Sequence, residues 1–313
     1  MGKLKTFISL CKNGSGVGKA LMANFSRMPV SHLLSDRIYL KLQYRACVGK
    51  KLNLNRPTGF NEKLQWLKLY DRNTDYIRMV DKCDVKDYVA NAIGKEYVIP
   101  TLAVWNRIED IDIAELPSQF VLKCTHDSGS VVICKDKVTF DLEKAKVQLS
   151  ASLQNNMFWH GREWPYKSVK PRIIAEQYMS DDSGELRDYK LMCFSGAVKC
   201  SFVCTDRFSG KGLHVTFLDK DWNVMPFERS FPSVKDGLPK PLNYEKMVEL
   251  AEKLSVDIPF VRVDFYEVNN QIYFGELTFF PGNGTETFQP EEWDDILGSW
   301  IKLPVKETRK RES

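Results

Sequence analysis

The sequence predicts an α+β protein with a mainly helical N-terminal region, followed by a small and then a larger α+β unit. Apolar residues recur at helical spacing up to about residue 80, whereas short apolar strands joined by polar turns dominate from there onward. Helices and strands that are segregated along the chain, without an internal repeat, are typical of this class. The 313 residues suffice for two domains or one large one.

The composition is that of a globular protein and argues against several function classes. With 43% hydrophobic and 27% charged residues, the net charge of +4 is too small to indicate a nucleic-acid partner. No apolar run is long enough for a signal peptide or a transmembrane segment. Eight cysteines without a C-x-x-C motif, beside only four histidines, argue against a zinc site. Their mostly apolar surroundings suit reduced thiols in a cytoplasmic protein.

Residues 1–80 form the predicted helical region. Helical spacing runs through Leu34–Val48 and again through Asn61–Tyr70. The glycine-rich stretch Asn13–Ala20 resembles a phosphate-binding loop, but it lacks both the leading glycine and the final serine or threonine of that motif. We therefore expect this stretch to be a flexible lead-in.

The small α+β unit carries a lysine at the end of a strand. A helix begins at Asp81, a short strand is expected at Tyr97–Pro100, and a compact apolar strand at Phe120–Cys124 contains Lys123. The polar loop 125–130 leads into the next strand. Its Gly and Ser backbone N–H groups and the lysine could cover phosphates as a flap. An ordinary hairpin is the simpler interpretation of these residues taken alone.

The larger unit is rich in antiparallel strands. A helix at 140–154 precedes the aromatic segment Asn155–Lys170, which is either a substrate loop or a lid packed on the core. The remaining elements alternate strands with two helices. They are a strand at Arg172–Tyr178, a hairpin about Ser195-Gly196, an amphipathic helix at Tyr244–Leu254 and a helix at Pro290–Trp300.

The stretch 260–284 contains two carboxylates on a predicted hairpin. Asn269-Asn270 is a turn signal between two strands, which brings Asp264 and Glu276 close together. Arg262 and Thr278 lie two residues from a carboxylate, and strand residues two apart share a face. If both pairs share one face, they form a carboxylate pair with a cation beside it, as in sites that hold Mg²⁺ against phosphates. The alternative is an exposed hairpin with ordinary surface charges.

An ordered set of motifs resembles the ATP-grasp superfamily, and more closely the TupA-like ATP-grasp proteins of bacterial surface-polysaccharide gene sets. The resemblance extends from about Leu34 to Gly298 and is most specific in four segments, Pro57–Tyr70, Phe120–Ser130, Lys170–Tyr178 and Tyr273–Gly284. The set is Asp81-Lys82, Phe120-Val121-Leu122-Lys123, Glu176, Asp188-Tyr189-Lys190, Arg262-x-Asp264 and Glu276-x-Thr278.

The resemblance implies an ATP-grasp fold, in which two α+β lobes hold ATP between them. The implied domains are a helical region (1–80), a small lobe with the phosphate flap (81–175), a large lobe with the metal site (176–303) and a basic tail (304–313). ATP and Mg²⁺ are the implied cofactors. The implied ATP-binding residues are Lys82, Lys123, His126, Ser128, Gly129, Ser130, Glu176, Gln177, Tyr178 and Met179.

The resemblance also implies a catalytic role for Lys190 and Arg262, and Mg²⁺ ligation by Asp264, Glu276 and Thr278. The superfamily usually has an asparagine where Thr278 stands, so the third ligand is the point at which the chain departs from the pattern. The flap departs as well, because Gly129 is its single glycine where many relatives have several.

The implied activity is an ATP-dependent carboxylate–amine ligase that forms an amide through an acyl phosphate. Its carboxylate substrate and amine donor would belong to a capsule or cell-wall polysaccharide precursor, with a uronic acid or amino acid, and the protein would be peripheral to membrane assembly machinery. Some family members are labelled glycosyltransferases, which makes a nucleotide-sugar transferase the alternative. That activity usually requires a D-x-D pair, and Asp110-Ile111-Asp112 and Asp219-Lys220-Asp221 match in letters only. A non-catalytic partner would need a degraded site, whereas the charged positions are intact.

Overall fold

Six helices occupy the first part of the computed structural model, which describes residues 16–180, 186–205, 212–234 and 237–305. They are α1 (Gly16–Ser26), α2 (Pro29–His32), α3 (Asp36–Val48), α4 (Phe60–Tyr70), α5 (Asp75–Val80) and α6 (Val85–Ile93). The predicted helical region is thus confirmed, but the helix expected from Asp81 begins at Val85.

The expectation of a flexible lead-in is wrong for Gly16–Ala20, which form the first turns of α1, while residues 13–15 lie outside the described ranges. Gly18 explains why a helix is possible there. A Cβ at this position would lie 2.2 Å from the carbonyl oxygen of Ala46, so only glycine allows the start of α1 to pack against the end of α3. The two helices therefore run antiparallel.

A four-stranded antiparallel sheet forms the small unit, with the strand order β1-β4-β2-β3. Its elements are β1 (Thr101–Trp105), β2 (Phe120–Cys124), β3 (Val132–Cys134), α7 (Leu142–Leu153), α8 (Phe158–Gly161) and β4 (Ile173–Gln177). All of β4 pairs within this sheet, so the strand crosses the predicted boundary between residues 175 and 176. The division into domains itself stays a prediction.

The strand predicted at Tyr97–Pro100 is displaced in the structure. Lys95–Tyr97 form a 3₁₀ turn, Val98 makes an isolated bridge to Phe274, and the strand begins only after Pro100. Proline has no N–H to donate to a strand ladder. The carbonyl oxygen of Pro100 nevertheless accepts a hydrogen bond from the backbone N–H of Gln177 (3.1 Å).

A five-stranded antiparallel sheet forms the larger unit, with the order β10-β9-β5-β6-β7. Its elements, with two short strands, are β5 (Asp188–Phe194), β6 (Ala197–Thr205), β7 (His214–Leu218), β8 (Glu228–Arg229), α9 (Tyr244–Leu254), β9 (Phe260–Val268), β10 (Gln271–Thr278), β11 (Phe288–Gln289) and α10 (Glu292–Trp300). Both predicted hairpins are confirmed. Their two-residue turns, Ser195-Gly196 and Asn269-Asn270, have positive φ at both positions, as type I′ turns require.

Two apolar cores divide the described residues differently from the order of the chain. The N-terminal helices and the five-stranded sheet share one core, in which the Phe60 ring packs on those of Phe194 and Phe260. The four-stranded sheet has a second core, built on Phe120 and Leu149. The helical region is therefore a layer on the larger unit. None of the helices in the described ranges is long and apolar enough to cross a membrane.

Candidate nucleotide and metal site

Three neighbouring strands carry a row of charged side chains on one face of the large sheet. Lys190 of β5 lies directly opposite Asp264 of β9, and Asp264 lies opposite Glu276 of β10. Arg262 and Thr278 face each other in the adjacent row. Directly opposed residues share a face of an antiparallel sheet. The structure thus brings together all five residues for which catalytic or metal roles were predicted.

A β-bulge at Gly275 makes this arrangement possible. Phe274 opposes Phe265 toward the core, and strict alternation would also turn Glu276 toward the core. The register instead shifts between Phe274 and Glu276, which moves Glu276 opposite Asp264. The predicted shared face therefore depends on one extra residue in β10, a feature that the alternation of the sequence does not reveal.

Replacing Gly275 with valine is expected to disturb the bulge. A Cβ at Gly275 would meet both the carbonyl oxygen of Asp264 and the Tyr266 ring at 3.1 Å, so a branched side chain must displace one of them. We expect Gly275→Val to cost about 1–3 kcal/mol of unfolding free energy by overpacking, and to weaken Mg-ATP binding in calorimetry. Gly237→Ala is the control for binding: its added Cβ meets nothing within 4 Å, but φ at Gly237 is +73°, so this variant also carries backbone strain and is compared in affinity alone. Wild-type stability and affinity in Gly275→Val would contradict the role given to the bulge.

The carboxylate of Asp264 is buried and fully engaged. Arg262 donates from Nε and Nη2 to its two oxygens, each at 2.7 Å, and Lys190 binds it from the neighbouring strand. Burial alone would raise the pKa of Asp264, but Arg262 and Lys190 outweigh it and lower the pKa. Arg262 also donates to Glu276 (2.7 Å), which accepts a further hydrogen bond from the Thr278 hydroxyl (3.2 Å).

The chemistry of these donors fits Mg²⁺. No three Asp, Glu, His or Cys residues in the described part of the chain already surround a single metal-sized point. Mg²⁺, however, is commonly held by one or two carboxylates, with substrate phosphates and water completing the octahedron. Asp264 and Glu276 supply that pair, and a buried oxygen of Asp188, Oδ1, has no hydrogen-bond partner. Thr278 orients Glu276 in this structure. The three metal assignments stay predictions.

A lysine cluster on the small sheet faces these carboxylates. Glu176 of β4 binds Lys123 of β2 and, at 2.7 Å, Lys86 of α6. Burial would raise the pKa of Glu176, but the two lysines outweigh it and lower the pKa. Lys86, which the sequence reasoning missed, leaves Glu176 neutralised if Lys123 turns toward a phosphate. Its position one turn after Lys82 was the available signal.

Lys82 lies between the lysine cluster and the row formed by Lys190, Asp264 and Glu276, which we call the metal row. Its Nζ donates to the backbone oxygen of Asp127 and lies 3.9 Å from the Asp127 carboxylate. Burial lowers the pKa of Lys82, while Asp127 opposes the shift. Lys82, Gly275 and Glu276 line one narrow cavity, and Lys82, Lys123 and Glu176 line another beside it. The predicted phosphate lysines and metal carboxylates thus meet between the two sheets.

Hydrogen bonds of its own side chains hold the predicted flap in place. Ser130 accepts the N–H of Cys124 (2.9 Å) and donates to Asp127 (2.6 Å), while the buried His126 ring contacts the Asn155 carbonyl oxygen at 3.0 Å. The Ser130 side chain is therefore occupied, so any contact of Ser130 with phosphate would come from its backbone. The His126 ring is held through Nε2, while its buried Nδ1 has no hydrogen-bond partner. Ser128 and Gly129 are exposed and remain the candidates with open access.

The hinge after β4 is less defined. The backbone N–H of Gln177 already donates to Pro100, which leaves its exposed side chain and its carbonyl oxygen for a nucleotide. Tyr178 and Met179 are half-buried and follow the strand beside Glu176. Their nucleotide contacts stay predictions.

A larger cavity lies apart from the lysine cluster and the metal row. That cavity, of about 360 Å³, lies between α4 and α10 and includes Tyr44, Glu62 and Asp294 in its lining. Its acids are largely engaged in local structure, since Asp294 accepts two hydrogen bonds from Asn61 and Glu62 accepts backbone N–H groups at 53 and 58. Its lysines, Lys50 and Lys51, are exposed, and Lys50 already pairs with the exposed Glu291 (2.5 Å), so this cavity lacks the buried lysines and buried carboxylate of the site between the sheets.

The aromatic segment forms a wall of the site that the sequence reasoning left open. Tyr166 lines the same cavity as Lys82 and Glu276. Lys68 of α4 donates to the carbonyl oxygens of Gly161 and Asn283, each at 2.8 Å, which fixes the segment against the loop that follows β10. Burial raises the pKa of the neighbouring Glu163 to about 7, although Lys68 opposes the shift.

The pKa of Glu163 predicts a pH dependence of stability. The ordinary pKa of glutamate here is 4.5, so between that value and about 7 the folded state binds more protons than the unfolded state. The contribution of Glu163 to stability is therefore full below this window and is lost as the pH rises through it. From pH ~5 to ~8 the wild type should lose about 1–3 kcal/mol more than Glu163→Gln in urea unfolding. Glu143→Gln, at an exposed glutamate of α7, should lose as much as the wild type. Parallel curves for all three proteins would refute the buried carboxylate.

A sequence model described as TupA-like ATPgrasp matches residues 62–302. The chain belongs to the TupA-like ATP-grasp family. The predicted ATP-grasp fold is confirmed, with the four-stranded and five-stranded sheets as its two lobes. None of the curated proteins with which the sequence was compared matches it.

Solved structures similar to this TupA-like protein include D-alanine–D-alanine ligase from Helicobacter pylori, at 14% identity and a TM-score of 0.44, covering 78% of this chain and 69% of that one. The Bacillus anthracis D-alanine–D-alanine ligase complexed with ATP has 15% identity and a TM-score of 0.40, with 72% and 59% covered. The ATP-grasp ligase PsnB with minimal precursor, Mg and ADP has 12% identity and a TM-score of 0.38, with 78% and 62% covered. The chain thus spans less than two thirds of two of these three proteins, and its fold assignment rests on the family match.

Proposed function

We propose that the protein is an ATP-dependent carboxylate–amine ligase that binds Mg-ATP between its two sheets. One observation carries the proposal: the row of Lys190, Asp264 and Glu276 faces a lysine cluster built around Glu176. Phosphoryl transfer requires little covalent chemistry from the protein, and its catalysis is almost entirely positioning and charge stabilisation. Carboxylates for Mg²⁺ on one sheet and cations for phosphates on the other supply both.

In the first step, an oxygen of the substrate carboxylate attacks the γ-phosphorus in line. The new O–P bond forms as the bond to the bridging oxygen breaks, and ADP leaves with that electron pair. Arg262, held in place by Asp264 and Glu276, is positioned to stabilise the charge that spreads over the phosphoryl oxygens. Lys190 adds a second cation from the adjacent strand. Asp264 and Glu276 would hold Mg²⁺, which would neutralise part of the phosphate charge.

In the second step, an amine attacks the carbonyl carbon of the acyl phosphate. The C–N bond forms, the C–O bond to phosphate breaks, and phosphate leaves with the electron pair while the nitrogen loses its proton to a base. Tyr166 lines the same cavity as Glu276, and Glu163 lies close enough to raise the pKa of Tyr166. We assign the acceptor to the aromatic segment that carries them.

The substrate class is proposed from the family resemblance. The resemblance to proteins of surface-polysaccharide gene sets supports a carboxylate and an amine that are parts of a capsule or cell-wall precursor, with a uronic acid or amino acid, handled in the cytoplasm. The glycosyltransferase alternative gains no support from its D-x-D matches. Asp219 accepts the backbone N–H groups of Asp221 and Asn223 and so closes a turn.

ADP release with panels of amino acids and sugar acids tests the proposal. We expect release to depend on a carboxylate, and hydroxylamine in place of the amine to trap the acyl phosphate as a hydroxamate in equal amount. Matched omission of ATP, Mg²⁺ or the carboxylate should abolish the signal. Consumption of a nucleotide sugar without ATP would overturn the ligase in favour of a glycosyltransferase.

A further inference from the structure

The turn between α1 and α3 exposes an unusual set of apolar side chains. We call residues 27–38 the helical tip. Its exposed side chains include Leu33 at 85% and Met28, Val30 and Ile38 at 51–54%. Because α1 and α3 are antiparallel, these residues gather at one end of the helix pair. Four large apolar side chains exposed together on a twelve-residue segment are a patch that marks an interaction site.

The exposed charges at the helical tip are mainly basic, with one acid among residues 27–38. Lys41, which is also exposed, follows Ile38 by three residues on α3 and so neighbours it on the helix surface. Arg27 and Arg37 belong to the helical tip itself and are exposed. The one acid, Asp36, lies 3.4 Å from the buried Arg162 guanidinium, which partly neutralises it.

Contacts with Arg162 and Trp159 of the aromatic segment support the helical tip. Arg162 is buried, donates to the carbonyl oxygen of Ser31 at 2.7 Å and stacks over Tyr39 and Trp159. The His32 ring stacks on Trp159 with centroids 3.7 Å apart. These contacts hold the Ser31 backbone and the His32 ring in place against Arg162 and Trp159. They leave its aliphatic side chains facing outward on a fixed base.

We propose that the helical tip docks the protein on an anionic membrane surface. Apolar side chains flanked by arginine and lysine match the boundary between lipid headgroups and acyl chains, where each basic residue also gains from anionic lipid. A second copy of this chain fits less well, because it would bring the exposed Arg27 and Arg37 of two helical tips together. Nucleic acid would satisfy the charge but would bury none of the exposed aliphatic groups.

The docking proposal does not depend on the proposed catalytic function. It adds a consequence if both hold, since Arg162, which braces the helical tip, is the neighbour of Glu163 in the chain. The acceptor side of the site would then lie above the membrane, where a lipid-linked precursor is presented. The family context suggests peripheral association, whereas the structure assigns the surface and the lipid chemistry.

Vesicle flotation of the full-length chain tests the docking. The probes are vesicles of phosphatidylcholine alone and vesicles in which roughly one third is phosphatidylglycerol. We expect binding to the anionic vesicles alone, reversed by high salt. Val30→Asp with Leu33→Asp should reduce it roughly tenfold or more, and Arg27→Gln with Arg37→Gln by a similar factor.

The control is Val138→Asp with Val147→Asp, two exposed valines of the small unit at 93% and 73% exposure, which should float like the wild type. Equal melting temperatures and Mg-ATP affinities would show that the paired variants fold. The proposal is overturned if the wild type does not prefer anionic vesicles, or if Val30→Asp with Leu33→Asp floats as well as the control. Binding of single-stranded RNA without vesicle binding would also overturn it, in favour of nucleic acid.

Discussion

Glu276→Gln is expected to lower turnover by roughly 10²–10³-fold while leaving the fold intact. The amide keeps the shape of the side chain but removes the charge that pairs with Arg262 and that we propose to hold Mg²⁺. The Glu276 side chain is 47% exposed, and Arg262 keeps both hydrogen bonds to Asp264, so the change leaves no buried charge unpaired. ADP release measures the loss, and thermal melting checks the fold.

Glu249→Gln is the matched control, because Glu249 is an exposed glutamate of α9 that is also ion-paired, with Lys246 and Lys253. It should turn over like the wild type. If Glu276→Gln kept wild-type turnover, the assignment of the metal row would be wrong, whatever the outcome for substrate identity.

Replacing Arg262 is expected to damage both stability and turnover. Asp264 is 1% exposed, and without Arg262 its carboxylate keeps only Lys190 as a cationic partner. Breaking such a buried pair from one side costs about 3–5 kcal/mol, so Arg262→Ala should unfold at clearly lower urea concentration. Arg262→Lys should be milder in stability, because it keeps a charge but loses the two-pronged contact. We expect turnover of Arg262→Lys to fall roughly 10³-fold, since a lysine cannot reproduce that geometry at the phosphoryl group.

Arg107→Ala serves as the comparison for Arg262, because Arg107 forms an exposed ion pair with Glu109. Exposed pairs contribute about 0–1 kcal/mol, so this variant should unfold close to the wild type. Equal stability of Arg262→Ala and Arg107→Ala would contradict a buried, structurally required Arg262–Asp264 pair.

Much of the fold and of the site could be predicted because local signals were strong. Asn269-Asn270 fixed a two-residue turn, which predicted that the strands carrying Asp264 and Glu276 pair with each other. The amphipathic pattern of Tyr244–Leu254 predicted a helix with the same bounds as in the structure. Each of these features depends on residues close together in the chain.

The features that were missed depend on register or on distant contacts. The alternation of apolar and polar residues in the sequence does not reveal the bulge at Gly275, although this bulge places Glu276 opposite Asp264. The bond between Lys86 and Glu176 joins residues 90 positions apart. The strand was predicted too early in the chain, at Tyr97–Pro100, because residues 97–99 are apolar. These residues pack at the junction of the two sheets, and the strand itself is Thr101–Trp105.

The role of the N-terminal helices was also beyond the sequence. Helical spacing predicts an apolar face but not the partner that covers it, and here the partner is the large sheet. The same holds for the aromatic segment, whose position beside Glu276 arises from contacts of Lys68 with residues far along the chain.

The most direct measurement of the central claim is thermal stabilisation by nucleotides. A ligand that binds only the folded state stabilises it by RT ln(1 + [L]/Kd), about 2.7 kcal/mol at a hundred times Kd. We predict that Mg-ATP raises the melting temperature, that Lys123→Met reduces this rise, and that UDP-sugars produce none. Stabilisation by UDP-sugars but not by Mg-ATP would contradict an ATP site between the two sheets.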